Sequence, residues 1–394
     1  MNTTKRTIVS LLTCIFCTLT VFSQNYPLSF EDKEKLNHAI ELVDGGKVDS
    51  SLYILEALVK KYPKNYIVNF EYAFSLVRKG DYKGANKTVR KLENHREAND
   101  ALHAMIGNTY DFMGQPDKAL KAYQNGLKKF PNSGLLYVEQ GNVYFNQQKY
   151  EEALNYDEHC IEMAPMYPTG YLRASMIYLS SSEPIWGMIY AEMFSLLKPN
   201  ARECRALCDG SVAALRKNIK MLGDTALQVS LTYKNNIYIQ KKPKADDLLN
   251  ALSTALTAFE VKYEHHVFEA VKLIGYKDTI DFDLFCKIRQ NVADSIVKTD
   301  YSLGLFKFQK SIIDAGFWQA YNMLIYGKSF PTEYAAFMAD EEKVNQLKAF
   351  MTWYNTAANF PNEQEPVSKN VYEKKMKDKL DKEVKEKVDK EMKK

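Results

Sequence analysis

The sequence has little of the usual apparatus of catalysis. It contains no glycine-rich phosphate loop, no GxSxG turn for a serine nucleophile and no zincin spacing of histidines, so the commonest nucleotide-dependent, esterase and metalloprotease signatures are missing. Glu264-His265-His266, with Glu260 and Glu269, comes nearest to a ligand set. It puts His265 and Glu269 on one helical face, but two adjacent histidines diverge on a helix, and a surface cluster is expected. Asp278, Asp281 and Asp283 lack the Gly and closing Glu of a calcium loop and are assigned to helix capping. No metal or other cofactor is expected, and the chain is expected not to be an enzyme. Net charge is also scarce, at +4 from 53 basic and 49 acidic residues. Residues 369–394 alone carry eleven Lys against seven acids, so no basic field suited to nucleic acid lies outside that tail.

Long apolar runs are missing after the N-terminus, so no later stretch is expected to cross a bilayer. The N-terminus itself reads as a secretory signal, residues 1–23. Lys5 and Arg6 precede an apolar core from Ile8 to Phe22, and Val21-Phe22-Ser23 offers a cleavage site before Gln24. The expected localisation is therefore exported, periplasmic or envelope-associated. Cleavage there would remove Cys14 and Cys17 and leave Cys160, Cys204, Cys208 and Cys286. An even number permits disulfides in an exported protein, but buried free thiols are preferred, because Cys204 and Cys208 lie one helical turn apart.

What the sequence does have is a period of 34 residues, held in five copies without insertion: 32–65, 66–99, 100–133, 134–167 and 168–201. One small position reads Ala39, Ala73, Gly107, Gly141, Ser175, and another Ser51, Ala85, Ala119, Ala153, Gly187. Small residues at these places let two helices approach closely. Pro63, Pro131, Pro165 and Pro199 stop the second helix of four copies, with Glu97 in the remaining one. This pattern resembles the tetratricopeptide repeat family, whose unit is a helix–turn–helix. Asp157 stands where that family usually has an aromatic residue.

The resemblance implies an all-α solenoid with a concave groove lined by the second, fifth, ninth and twelfth places of each unit. The second repeat contributes Ile67, Phe70, Phe74 and Val77, and the third Ala101, Ala104, Asn108 and Asp111. The fourth contributes Leu135, Val138, Asn142 and Phe145. The fifth contributes Thr169, Leu172, Met176 and Leu179, with Arg173 beside them. The expected groove is apolar around a polar centre at Asn108, Asp111 and Asn142, suited to an amphipathic helix or an extended peptide. Some family members clamp C-terminal carboxylates over three repeats. Here Asn108 and Arg173 match that clamp, but Ala104, Glu139 and Thr169 do not, so it is not expected.

After Pro199 the period ends. Residues 202–361 are expected to form a second helical domain, with helices over 201–217, 244–274, 281–298, 302–326 and 340–359. Leu227 to Gln240 fits a hairpin around Asn235-Asn236 or, as preferred, a helical continuation. Residues 366–394 carry opposite charges at four-residue spacing and are expected to form a solvated helix whose removal leaves the fold intact. The implied function is a non-catalytic scaffold that binds a protein or peptide partner in its groove. Three alternatives stand beside it: a helical enzyme with its active site in 202–361, a groove filled by the chain's own C-terminal helices, and membrane-surface association through the tail, where Lys pairs with anionic lipid against its seven acids.

Overall fold

The 34-residue period emerges as helix–turn–helix pairs whose starts are capped by the same repeat place. The computed structural model describes residues 28–392 except 223–225, 234–257, 278, 300–301, 358–359 and 363–365, and of 384–392 only the backbone. The expected signal segment and the Asn235-Asn236 turn lie outside the described residues. The repeats supply α1 (Phe30–Asp44), α2 (Val48–Lys61), α3 (Tyr66–Lys79), α4 (Tyr82–Arg90), α5 (Asp100–Phe112), α6 (Pro116–Lys129), α7 (Gly134–Asn146), α8 (Tyr150–Met163), α9 (Pro168–Leu179) and α10 (Pro184–Leu197). Asn65, Asn99 and Ser133, 34 residues apart, each accept a hydrogen bond from the amide three residues on. Each thereby satisfies one of the amides that a helix start leaves without a partner. At the next such place Tyr167 makes no side-chain cap, and Pro168 opens α9 instead, since a missing N–H costs nothing at the first helical position. Glu183 holds the corresponding place before α10, with no side-chain cap.

Both small positions are buried in every repeat, and the pairs α1–α2, α3–α4, α7–α8 and α9–α10 pack against each other. A side chain at Gly141 would start 3.0 Å from Asp157 Oδ1 and 3.2 Å from the Ala153 carbonyl. Gly141→Leu is therefore expected to destabilise by about 1–3 kcal/mol through overpacking, as a fall in the denaturant midpoint. In the repeat without its closing proline, α4 spans 9 residues where α2, α6, α8 and α10 span 14. A run of turns over 91–98 replaces its last stretch.

Two compact units divide between Ala119 and Leu120. In the first, Leu36, Ala39, Leu55, Leu58 and Val68 form one apolar cluster, and Leu52, Leu76 and Ala85 another. In the second, a continuous core begins at Ile161 and Tyr171 and runs to Tyr372 and Met376, so the fifth repeat shares its interior with later helices as far as the start of the tail. The later elements are α11 (Glu203–Asn218), β1 (Ile219–Leu222), β2 (Ala226–Val229), α12 (Phe259–Ile274), α13 (Phe282–Ile296), α14 (Gly304–Asp314), α15 (Trp318–Tyr326), α16 (Pro331–Met338), α17 (Glu341–Ala357) and α18 (Lys369–Met392). The described residues are all-α apart from these two strands.

Three expectations change here. The start of the 227–240 stretch is not helical: β2 pairs antiparallel with β1, Ile219 opposite Val229. The single helix expected over 302–326 is two, because Gly316 adopts a left-handed φ of 77, a conformation that ends a helix and suits glycine. The tail is not wholly solvated either. Val367, Ser368, Tyr372 and Met376 are buried, whereas residues 381–383 are exposed.

Candidate functional site

The predicted lining places do not share one environment. In the first unit, Ile67 packs against the Leu36 cluster and Val77 against the Leu52 cluster. Phe70 is half-buried and stacks on Tyr66 at 5.8 Å between ring centroids. Phe74 keeps only 9% of its surface and Ala104 only 4%. These two residues are core rather than lining, because α3 and α5 are covered further round than the repeat register implies. Asn108 and Asp111 remain half-buried, and burial raises the Asp111 carboxyl above its ordinary value.

In the second unit Val138 is fully buried and is likewise a core residue. Leu135, Ala101 in the first unit, and Thr169 are half-buried. Leu172 and Leu179 pack on the large core. Met176 is the open member of the set, 48% exposed.

Three predicted residues from α7 and α9 come together. Arg173 donates through Nη1 to Asn142 Oδ1 and through Nε to Asp157 Oδ1 at 3.1 Å. Asn142 in turn donates to Glu139 Oε2 at 3.0 Å. The guanidinium lies over the Phe145 ring, 5.1 Å from its centroid, a cation–π arrangement. Phe145 also meets Tyr150 edge-on at 5.3 Å.

This arrangement explains Asp157. It is fully buried in the aromatic place of its repeat, beneath the side-chain-free Gly141, and its charge partner comes from the next repeat. Burial lifts its carboxyl to about 7 against the opposing pull of Arg173. Arg173 is therefore held by its own chain, which removes the last cation that matched a carboxylate clamp. The sequence signal for this pair was present, an acid replacing an aromatic, but its partner was not identified from it.

The densest polar cluster lies elsewhere. Glu192 of α10 accepts from Arg289 Nη2 at 2.5 Å, Gln309 Nε2 at 2.9 Å, Tyr321 OH at 2.5 Å and Tyr326 OH at 3.2 Å. Arg289 also donates to Asn322 and faces the rings of Tyr326 and Trp318 at 4.5 and 5.2 Å. The adjoining cavity measures about 20 Å³, which suits one water molecule. Its donors and acceptors are directed at one another, as in a buried structural network.

Cys160, Cys208 and Cys286 are buried free thiols, and burial raises all three. Asp281 caps α13, accepting from the Leu284 amide at 2.8 Å. Among the described residues no group of three or more His, Cys, Asp or Glu is placed to hold a metal ion. No helix among them is long and apolar enough to cross a membrane.

The profile described as tetratricopeptide repeat matches residues 104–162. Human tetratricopeptide repeat protein 6 is 23% identical over 133 residues, 34% of this chain and 25% of that protein. The chain thus spans about a quarter of the length of this curated relative. Among solved structures, TTC0263, a tetratricopeptide protein of Thermus thermophilus, is 14% identical with a TM-score of 0.39, covering 45% of this chain and 98% of its own. MamA from Desulfovibrio magneticus RS-1 is 14% identical at a TM-score of 0.33, covering 44% and 96%. YrrB, described as a tetratricopeptide protein with an unusual peptide-binding site, is 19% identical at a TM-score of 0.31, covering 44% and 91%.

Proposed function

The chain is a tetratricopeptide-repeat protein, and from that premise we propose a non-catalytic, exported scaffold that binds a protein or peptide partner along the first helices of its later repeats. One observation carries this reading: Asn142, Phe145 and Arg173 form a contiguous patch, with Met176 exposed on the same helix as Arg173. An aromatic ring backed by a guanidinium and flanked by an exposed thioether is a surface that anchors an apolar side chain. The prepaired Asn142 and Arg173 lose little freedom on binding.

A photo-crosslinking residue at position 176, in the chain expressed in its native host, tests the proposal. Covalent capture of a discrete partner is expected, and Phe145→Ala should lower that partner's affinity at least tenfold. Met176→Glu should do the same with an unchanged melting temperature, because the side chain is exposed. Undiminished affinity for that partner in both variants would place the partner elsewhere. Export rests on the N-terminal signal pattern. The intact mass of the native protein should correspond to a chain starting at Gln24, and a chain retaining Met1 would refute it.

A further inference from the structure

The start of α18 is held by a carboxylate that has no cation as its hydrogen-bond partner. Glu158 of α8 is 2% exposed. Its Oε2 accepts from Ser368 Oγ at 3.0 Å, and its Oε1 from Tyr190 OH at 2.7 Å and Tyr178 OH at 3.4 Å. The Tyr190 oxygen then accepts the Lys369 backbone N–H at 2.8 Å. All the described partners are hydroxyls, which donate or accept as required. The network therefore closes around a neutral carboxyl as well as around a carboxylate.

Burial, rather than the surrounding charge, favours the neutral form. The Lys369 ammonium is 3.6 Å from Glu260 Oε1, itself 1% exposed, and lies over the Tyr178 ring at 5.2 Å. The ammonium thus faces the buried Glu260 carboxylate as well as Glu158. Asp157 and Glu162 lie on the same helix as Glu158, and Asp157 is taken by Arg173 of α9. Glu373 of α18 is 4.0 Å from Lys369, and Lys262 of α12 is directed at the Tyr372 hydroxyl at 3.4 Å. From α10 the facing group is the neutral Tyr190 hydroxyl.

We propose that residues 367–376 are a proton-dependent latch: they dock on α8, α10 and α12 when Glu158 carries a proton and release when it is charged. Docking seats Tyr372 against Trp186 and Phe259, 6.3 and 5.2 Å between centroids, and removes Glu158 from water. Burial is the dominant influence on Glu158 and lifts its carboxyl from 4.5 to about 7, while the Tyr190 and Ser368 hydroxyls and Lys369 pull the other way. The sign follows from linkage. A carboxyl raised in the docked state binds its proton more tightly there, so docking is strongest below the ordinary glutamate range. It weakens as pH rises toward 7 and levels off above it. Release uncovers the face of Trp186, Tyr190 and Phe259 without requiring the repeats to open.

Hydrogen exchange of the full-length protein, corrected for the intrinsic pH dependence of exchange, tests the latch between pH 5 and pH 8. Protection of the amides of residues 369–376 is expected to fall at least fivefold between pH 5 and pH 7 and then to flatten, with α8 and α10 still protected. In Glu158→Gln, which retains the shape and loses the titration, tail protection should not vary with pH. A wild-type tail whose protection is constant, a Gln variant that keeps the pH dependence, or joint loss of protection in α8 and α10 would each overturn the proposal. Carboxyl-carbon NMR of glutamate-labelled wild type supplies a readout that needs no variant. The Glu158 resonance should titrate over the same window, and a midpoint in the ordinary glutamate range would overturn the latch.

Discussion

Replacing Arg289 with Ala is expected to lower the unfolding free energy by about 3–5 kcal/mol, the range for removing one partner of a buried ion pair. The side chains of Arg289 and Glu192 retain 8% and 5% of their exposure, and together they join α10, α13, α14 and α15. Removing the guanidinium leaves Glu192 in the interior with only neutral donors, Gln309, Tyr321 and Tyr326. It also strands the Asn322 carbonyl oxygen and leaves space between the Tyr326 and Trp318 rings. Pairing Arg289→Met with Glu192→Leu should cost less than Arg289→Ala alone, because apolar replacement of both partners removes the uncompensated charge. Denaturant unfolding followed by Trp318 fluorescence compares the two. An Arg289→Ala variant as stable as wild type would mean that the network contributes nothing to this unit.

The repeats were legible because their determinants are local and recur. A small residue every 34 positions, a turn, and a proline after the second helix are each read within one unit, and all the small positions proved buried. The caps at Asn65, Asn99 and Ser133 carry the same period and were as readable as the glycines. The fourth turn shows the limit of residue type, since Gln148 takes the left-handed φ of 60 that glycine takes in three of the others.

Contacts between distant elements were not legible. Glu192 and Arg289 are 97 residues apart, and Glu158 and Ser368 are 210 apart. No local pattern records which buried acid meets which donor. Asp157 was visible as an anomaly but not as half of a pair, because its Arg173 belongs to another repeat. The lining places inherited the family register, and Phe74 and Val138 fell into the interior where neighbouring helices cover that register. Strand β2 was misread because its alternation covers only 4 residues, too few to distinguish a strand from one turn of helix.

At pH 5, where the tail is docked, deleting residues 366–394 is expected to lower the stability of the second unit by about 3–5 kcal/mol, the scale of emptying an aromatic core site. The tail's charge pattern conceals this dependence. Opposite charges at four-residue spacing are those of an exposed helix, and from Lys377 to Lys379 they are exposed. The first two turns differ. Val367 keeps 1% of its surface, Tyr372 3% and Met376 8%, and their partners Trp186 and Phe259 belong to the same core. Without the tail, those rings and the Glu158 carboxyl face water, so Trp186 emission should shift to the red and an apolar dye should bind. A shorter deletion, removing only residues after Lys382, serves as the control. It leaves Val367, Ser368, Tyr372 and Met376 in place, and its stability should stay within about 0.5 kcal/mol of wild type. The contrast between the two deletions carries the prediction, because both shorten the same charged helix. If they unfold at the same denaturant midpoint, the residues from Val367 to Met376 do not hold the core together.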